Sequence, residues 1–330
     1  MRKLFVAIAA LVLLCLCVAA QAVVMETVAV GDAGNAADMR LQSDGTSGYG
    51  SVGYDYRIGK YEVTAGQYTE FLNAKAATDT YGLYDTAMAN DAYEYLHYEC
   101  KIQRSGSSGS YTYSVASEYA NRPVNYVSWY DTLRFANWLT NGQGGGSTES
   151  GSYLITGGGL DSGTVTIPTA AQRKTWSEGA TAKWLLTSED EWYKAAYYKN
   201  GVYSEYANGT NAAPSAGTAS NYDFAVDHTW DGSVNGALEQ NGTKDMVGNV
   251  WEWNEAPIDA LRGLRGGSFD SELNTGWLQA SFRDITYPAG QSYFCIGFRV
   301  SQVAPVPEPS SIIALAGGLV GLLGLRRRRP

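Results

Sequence analysis

Asp245-Met246-Val247-Gly248-Asn249-Val250-Trp251-Glu252-Trp253 decides the reading of this 330-residue chain, because five other short motifs stand around it in a fixed order. Upstream lie Gly59-Lys60-Tyr61-Glu62-Val63-Thr64, Arg122-Pro123-Val124-Asn125-Tyr126-Val127-Ser128-Trp129 and Leu186-Thr187-Ser188-Glu189-Asp190-Glu191-Trp192. Downstream come Arg265-Gly266-Gly267-Ser268-Phe269 and the closing Gly297-Phe298-Arg299-Val300. The whole chain holds 38 Gly, 24 Tyr and 9 Trp, and all the tryptophans fall within residues 129–277. That composition predicts a loop-rich, aromatic-packed fold rather than a helical bundle, and 45% hydrophobic residues suffice for a sizeable core. Neither a Gly-x-y nor a heptad period appears, which excludes collagen and coiled coil, and no 20–50-residue repeat recurs.

Local signals place a few regular elements. Tyr56 to Val63 reads as a short strand. Thr64 and Gln67 form a capping box, followed by Tyr68, Phe71 and Leu72 on one helical stripe. Ser128 caps a helix carrying Leu133, Phe135, Trp138 and Leu139, and Ser188 with Glu191 caps a third one backed by Ala195 and Ala196. These three helices are framework. Residues 23–53 read as a lead-in strand and loop, and Ser105–Ser110 and Asn141–Gly159 as surface insertions.

Charge excludes one class of partner. Six of the 24 cations sit at the two ends, which carry no acid, so residues 4–325 hold 18 cations against 33 anions, a net −15. Such a surface repels a phosphate backbone, and no basic stripe offsets it, so nucleic acid is not a partner.

Both ends are addresses. Arg2 and Lys3 precede the apolar Leu4–Ala20, and Ala20-Gln21-Ala22 supplies a small-x-small cleavage site, the pattern of a signal peptide over residues 1–22. A retained membrane helix is the alternative, since the apolar run is near minimal spanning length. At the other end, Pro307-Glu308-Pro309 leads into the apolar Ile312–Leu325 and then Arg326–Arg329. This pattern resembles the PEP-CTERM sorting signal, over residues 303–330. The resemblance implies processing by a membrane protease of the exosortase type. It also implies a Gram-negative cell surface or matrix location, with the tail transiently in the membrane. A plain C-terminal anchor is the alternative.

The six motifs together resemble the formylglycine-generating (sulfatase-modifying factor) family, across residues 54–302. The resemblance implies an irregular, loop-rich α+β fold related to C-type lectins. The family's oxidase chemistry uses two cysteines shortly after the Gly-Gly-Ser-aromatic turn to bind copper(I), a soft ion suited to thiolates. Here that segment reads Asp270-Ser271-Glu272-Leu273-Asn274, then Trp277 and Ser281-Phe282-Arg283, with no cysteine. Other members use histidine-bound iron, but His97 and His228 are the only histidines and lack ligand spacing. Neither copper nor iron is therefore expected, and no catalytic residue is assigned.

Calcium is better supplied. The resemblance implies one ion on Asp245, Gly248, Val250 and Glu252, two carboxylates plus two carbonyls, the hard oxygens that Ca²⁺ takes. A plain turn in which Glu252 caps backbone N–H groups is the alternative. A second family site corresponds to Asn221 and Tyr222 with Asp231 and Ser233, Asp227 competing for the acidic place. Cys100 and Cys295, the cysteines left after the signal, form a candidate disulfide. Two free buried thiols or a reactive metal-binding pair are the alternatives. Trp230 and Trp277 lie in less regular stretches, as core or as the lining of a groove that stacks on sugars. The expectation is thus an exported, calcium-stabilised module that binds a polysaccharide or protein ligand or serves a structural role. The alternative is a formylglycine-generating-type oxidoreductase with an unrecognised metal site.

Overall fold

Thr64 opens the first helix as its capping box predicts. In the computed structural model, which describes residues 22–90, 98–258, 261–272 and 275–304, helix α1 spans Ala65–Lys75. The Thr64 hydroxyl accepts from the Gln67 N–H at 3.2 Å, and the Gln67 side chain accepts from the Thr64 N–H at 2.9 Å. Helix α2 (Trp129–Thr140) starts at Ser128 with Asp131 completing the box. Helix α3 (Ala170–Glu178) was not foreseen: Thr169 and Gln172 cap it, but it buries only Arg173, so no apolar stripe marks it. Helix α4 (Glu189–Tyr197) follows Ser188 and Glu191 as expected.

Two small sheets organise the rest. The first takes β1 (Thr27–Val30) and β2 (Tyr56–Gly59), with β7 (Lys183–Leu186) and β13 (Val300–Val303) from far along the chain, in the order β1-β2-β13-β7. All its pairings are antiparallel, with Ser301 opposite both Ile58 and Leu185. The second sets β10 (Trp251–Ile258) between antiparallel β11 (Leu261–Arg265) and parallel β12 (Ile296–Phe298). Two-stranded ribbons complete the set: β3 (Ile102–Ser105) with β4 (Thr112–Val115), β5 (Leu154–Gly159) with β6 (Ser162–Thr166), and β8 (Tyr198–Lys199) with β9 (Val202–Tyr203). The two Gly/Ser stretches thus connect or build hairpins, since β5 occupies the end of the second.

Residues 23–53, expected as a lead-in strand and loop, pack on the elements that follow. β1 pairs residue for residue with β2. Behind it, the Lys194 ammonium donates to the Asp32 carbonyl at 2.8 Å and the Gly50 N–H to Asp190 at 2.8 Å. Residues 23–53 are part of the same unit.

Aromatic rings fill the core where α1 meets α2. Tyr68, Phe71, Phe135, Trp138 and Phe298 form edge-on, tilted and stacked pairs with centroids 5.4–6.1 Å apart. Such pairs each add about 0.5–1.5 kcal/mol beyond their buried area. Residues 1–21, read as most of a signal peptide, His97, and the tail with Pro307, Glu308 and Pro309 lie outside the described residues.

Candidate functional site

Glu252 sits on β10 with Gly297 opposite it on one side and Arg265 on the other. Its neighbours Trp251 and Trp253 point away from it by strand alternation, leaving the carboxylate fully buried. Arg299, equally buried, meets it from the single residue between β12 and β13: the guanidinium Nε lies 2.8 and 2.7 Å from the two oxygens and Nη2 lies 2.5 Å from Oε1. The Trp192 indole donates to Oε2 at 2.6 Å. Arg299 also donates to the carbonyls of Gly59 at 3.0 Å and Asp245 at 2.9 Å, which ties four segments to one guanidinium. Burial pushes the Glu252 carboxyl up, and the Arg299 charge pulls it back. Neither sequence reading of Glu252 anticipated this partner, because its binding groups come from side chains rather than backbone N–H donors.

The other residues expected to hold metal gather beside this pair. Asp245, at φ +55°, accepts from the Trp230 indole at 2.9 Å through Oδ2, while its buried Oδ1 has no hydrogen-bond partner. Burial pushes its carboxyl up to about 7. Asn221 is fully buried; its amide donates to the His228 carbonyl at 2.9 Å, and its Oδ1 likewise has no partner. Tyr222 turns its hydroxyl to the Pro214 carbonyl at 2.7 Å. Asp231 folds back on its own loop, accepting from the Ser233 N–H at 2.8 Å and the Ser233 hydroxyl at 2.5 Å. Gly232 packs against Asp245 so closely that a Cβ there would stand 2.7 Å from Oδ2. The two expected calcium sets are therefore contiguous. Among the described residues, no group of three His, Cys, Asp or Glu side chains converges as a metal cage.

Asn249 joins these pieces, and sequence reasoning gave it no role. Its side chain donates to Glu62 at 3.0 Å and accepts from the Trp230 N–H at 2.9 Å and the Asn221 amide at 3.2 Å. Its N–H donates to the Asn221 carbonyl at 2.7 Å and its carbonyl accepts from the Phe269 N–H at 3.0 Å. Gly248 before it has φ +85°, and a Cβ would sit 2.5 Å from the Asn221 carbonyl oxygen, so only glycine closes this turn. Glu62, buried beside Asp245, is pushed well above the usual carboxylate range by burial and by that neighbouring charge.

A second buried centre was also missed. Arg173 on α3 binds both oxygens of Glu191 at 2.8 Å and also binds Glu255. Glu191 additionally accepts from the hydroxyls of Tyr54 and Ser301, each at 2.8 Å. The helix-capping residue is thus also a structural counter-ion. A buried charge needs a partner. Acids set among tryptophans, as in Trp251-Glu252-Trp253 and Glu191-Trp192, were the available signal.

The segment after the Gly266-Gly267 turn carries different chemistry. Ser268 donates its hydroxyl to Asp270 and its N–H to Ser271 at 2.9 Å. Trp277 and Phe282 are half-buried, with centroids 6.1 Å apart and the buried Trp251 behind both, at 6.1 and 5.9 Å. Trp230, by contrast, is buried. The His228 ring nitrogen Nδ1 is engaged with the Thr229 carbonyl at 2.8 Å.

The disulfide reading is corrected: Cys100 and Cys295 are both free and buried. The Cys100 thiol contacts the Met88 and Asn125 carbonyls at 4.0 and 3.9 Å, and burial pushes it up to about 11. Burial also raises the Cys295 thiol, so neither is a ready thiolate.

With this geometry in place, the comparisons with known proteins are decisive. The profile described as "Sulfatase-modifying factor enzyme 1-like domain" matches residues 28–304. The chain belongs to that family. The match begins inside β1, in agreement with the pairing of β1 and β2. A second profile, "PEP-CTERM protein-sorting motif", matches residues 305–329, which marks an exported, surface-sorted protein addressed to an exosortase-type system. No curated protein sequence matches the chain. Among solved structures, Treponema denticola variable protein 1 superposes with a TM-score of 0.57 at 18% identity, covering 86% of this chain and 97% of that one. CarF gives 0.53 at 18%, covering 86% and 98%. PvdO from Pseudomonas aeruginosa gives 0.50 at 15%, covering 84% and 94%. At these identities the likeness is one of fold, and it agrees with the expected irregular α+β class.

Proposed function

We propose that this chain is an exported module that binds a ligand or serves a structural role, and that it does not run the oxidase chemistry of formylglycine generation. The observation that carries this reading is the segment Asp270–Arg283, which offers carboxylates, hydroxyls and aromatic rings but no thiol or imidazole. Copper(I) needs soft ligands, and the one thiol near this segment, Cys295, is buried and held protonated. The test is turnover. A Cys-x-Pro-x-Arg peptide incubated with the protein, copper, reductant and oxygen is expected to keep its mass. A formylglycine product would establish the alternative, an oxidoreductase with a different metal site.

Calcium belongs to the same proposal, in a supporting role. The unpartnered buried oxygens Asp245 Oδ1 and Asn221 Oδ1 suit a hard cation, and Gly248 and Val250 would add carbonyls. Glu252 fits less well, because Arg299 and Trp192 occupy both of its oxygens. When bound, the ion would pin loops that lack ladder hydrogen bonds. Calcium at about 100 times its Kd should raise stability by about 2.7 kcal/mol, or Tm by about 5–10 °C. EDTA should remove that gain, and Asp245→Asn should abolish the difference. A melt insensitive to EDTA would remove calcium from the reading. The tail, in this proposal, enters the membrane only until the sorting protease acts.

A further inference from the structure

The segment that departs from the oxidase pattern also shapes a groove. It is an open depression of about 340 Å³ walled by Leu41, Gln42 and Ser43 on one side and by Trp277, Gln279 and Phe282 on the other. Its size falls in the range of small-molecule sites.

The lining is distinctive in one respect. Among the described residues it contains no ionisable side chain, although residues 4–325 carry a net −15. A cationic or anionic ligand would find no counter-charge in it. Two aromatic rings are half-buried and rest on Trp251, so they are held rigidly and lose little freedom when a ligand covers them. Amides and hydroxyls lie around them: Gln279 donates to the Tyr206 hydroxyl at 3.1 Å and accepts weakly from Ser281 at 3.5 Å, which leaves its carbonyl oxygen acceptor capacity. Gln42 is fixed by accepting from Arg265 at 2.9 Å. Rigid aromatic faces bordered by fixed neutral hydrogen-bonding groups match a ligand with apolar C–H faces and an equator of hydroxyls.

From this we infer that the Trp277–Phe282 groove is a subsite for an uncharged pyranose unit of a polysaccharide. The inference rests on the ligand-binding reading above and names its ligand class. Trp277 supplies the stacking face, Phe282 the adjoining wall, and Gln279 hydrogen bonds to hydroxyls. Exposed Leu41 closes the opposite rim.

The test uses the full chain purified in detergent, titrated with cellohexaose, maltohexaose and mannohexaose, and with hexagalacturonate as the charged control. Binding is read by tryptophan fluorescence and calorimetry. At least one neutral hexasaccharide should bind, and hexagalacturonate should bind at least about tenfold more weakly. Trp277→Ala should weaken the neutral sugar at least about tenfold, with Trp277→Phe recovering part of the loss. Near-ultraviolet circular dichroism and Tm monitor the fold, and Gln279→Ala provides a milder variant should Trp277→Ala unfold. Failure of all three neutral sugars to bind, unchanged affinity in both variants, or preference for the charged sugar overturns the inference. So does a Cys-x-Pro-x-Arg peptide that binds unmodified in the groove and is weakened by the same variants. If the peptide is instead oxidised, the underlying reading falls as well, which separates the two failures.

Discussion

The centre around Glu252 and the groove around Trp277 are built from consecutive motifs, and they solve opposite problems. The first withdraws charge from water and pairs it, Arg299 against Glu252, as Arg173 does with Glu191 and Glu255 in the other buried centre. The second leaves aromatic rings half-open and presents no charge. A hydrogen bond from the Gly248 N–H to the Gly266 carbonyl at 2.8 Å links them, and Gly266, at φ +99°, approaches the Met246 carbonyl too closely for any Cβ. The difference teaches that this fold is held by ion pairs and hydrogen bonds in its interior, while past the Gly266-Gly267 turn Trp277 and Phe282 keep a face to solvent beside the buried Phe269, Ser271, Leu278 and Ala280.

The largest expected effect tests that division directly. Arg299→Ala leaves Glu252 buried and unpaired, and should cost about 3–5 kcal/mol in chemical denaturation. Trp277→Ala, on the groove side, should cost less than half as much. Comparable losses for the two would break the contrast.

A smaller effect is its pH dependence. Burial raises the Asp190 carboxyl to about 6 and the Glu255 carboxyl to about 7, above the values of 3.8 and 4.5 for free groups. The folded state therefore binds protons that the unfolded state has already lost in this window. The stability contribution is full below about pH 4 and is lost as pH rises through 6 to 7. Asp190→Asn should flatten that fall by on the order of 1–2 kcal/mol in denaturation midpoints measured from pH 4.5 to 7.5. Binding in the groove, which has no titrating wall, should stay constant from pH 5 to 8. A steep pH dependence there would place a charge where the structure has none.

The smallest effect concerns the thiols. The exported chain should release no thiol to a thiol reagent while folded and two after denaturation, with no mass change on reduction. One disulfide recovered under denaturing, non-reducing conditions would reverse the assignment of Cys100 and Cys295.

Much of the frame was legible because its signals are local. A capping box needs only two residues three apart, so Thr64, Ser128 and Ser188 announced α1, α2 and α4. Helix α3 escaped because its single buried residue is an arginine, which no apolar period reveals. Ordered motifs fixed the family and the fold class, and the terminal Pro307-Glu308-Pro309 pattern fixed the address, since both are linear signals. Tertiary structure alone decided which charges meet. Glu252 and Arg299 are 47 residues apart, and Asn249 reaches Glu62 across 187. It also decided that Trp230 is core while Trp277 is exposed to a groove, and that the two thiols stay apart. Each depends on where loops without periodic hydrogen bonding come to rest, and that is set by long-range packing rather than by any neighbour in sequence.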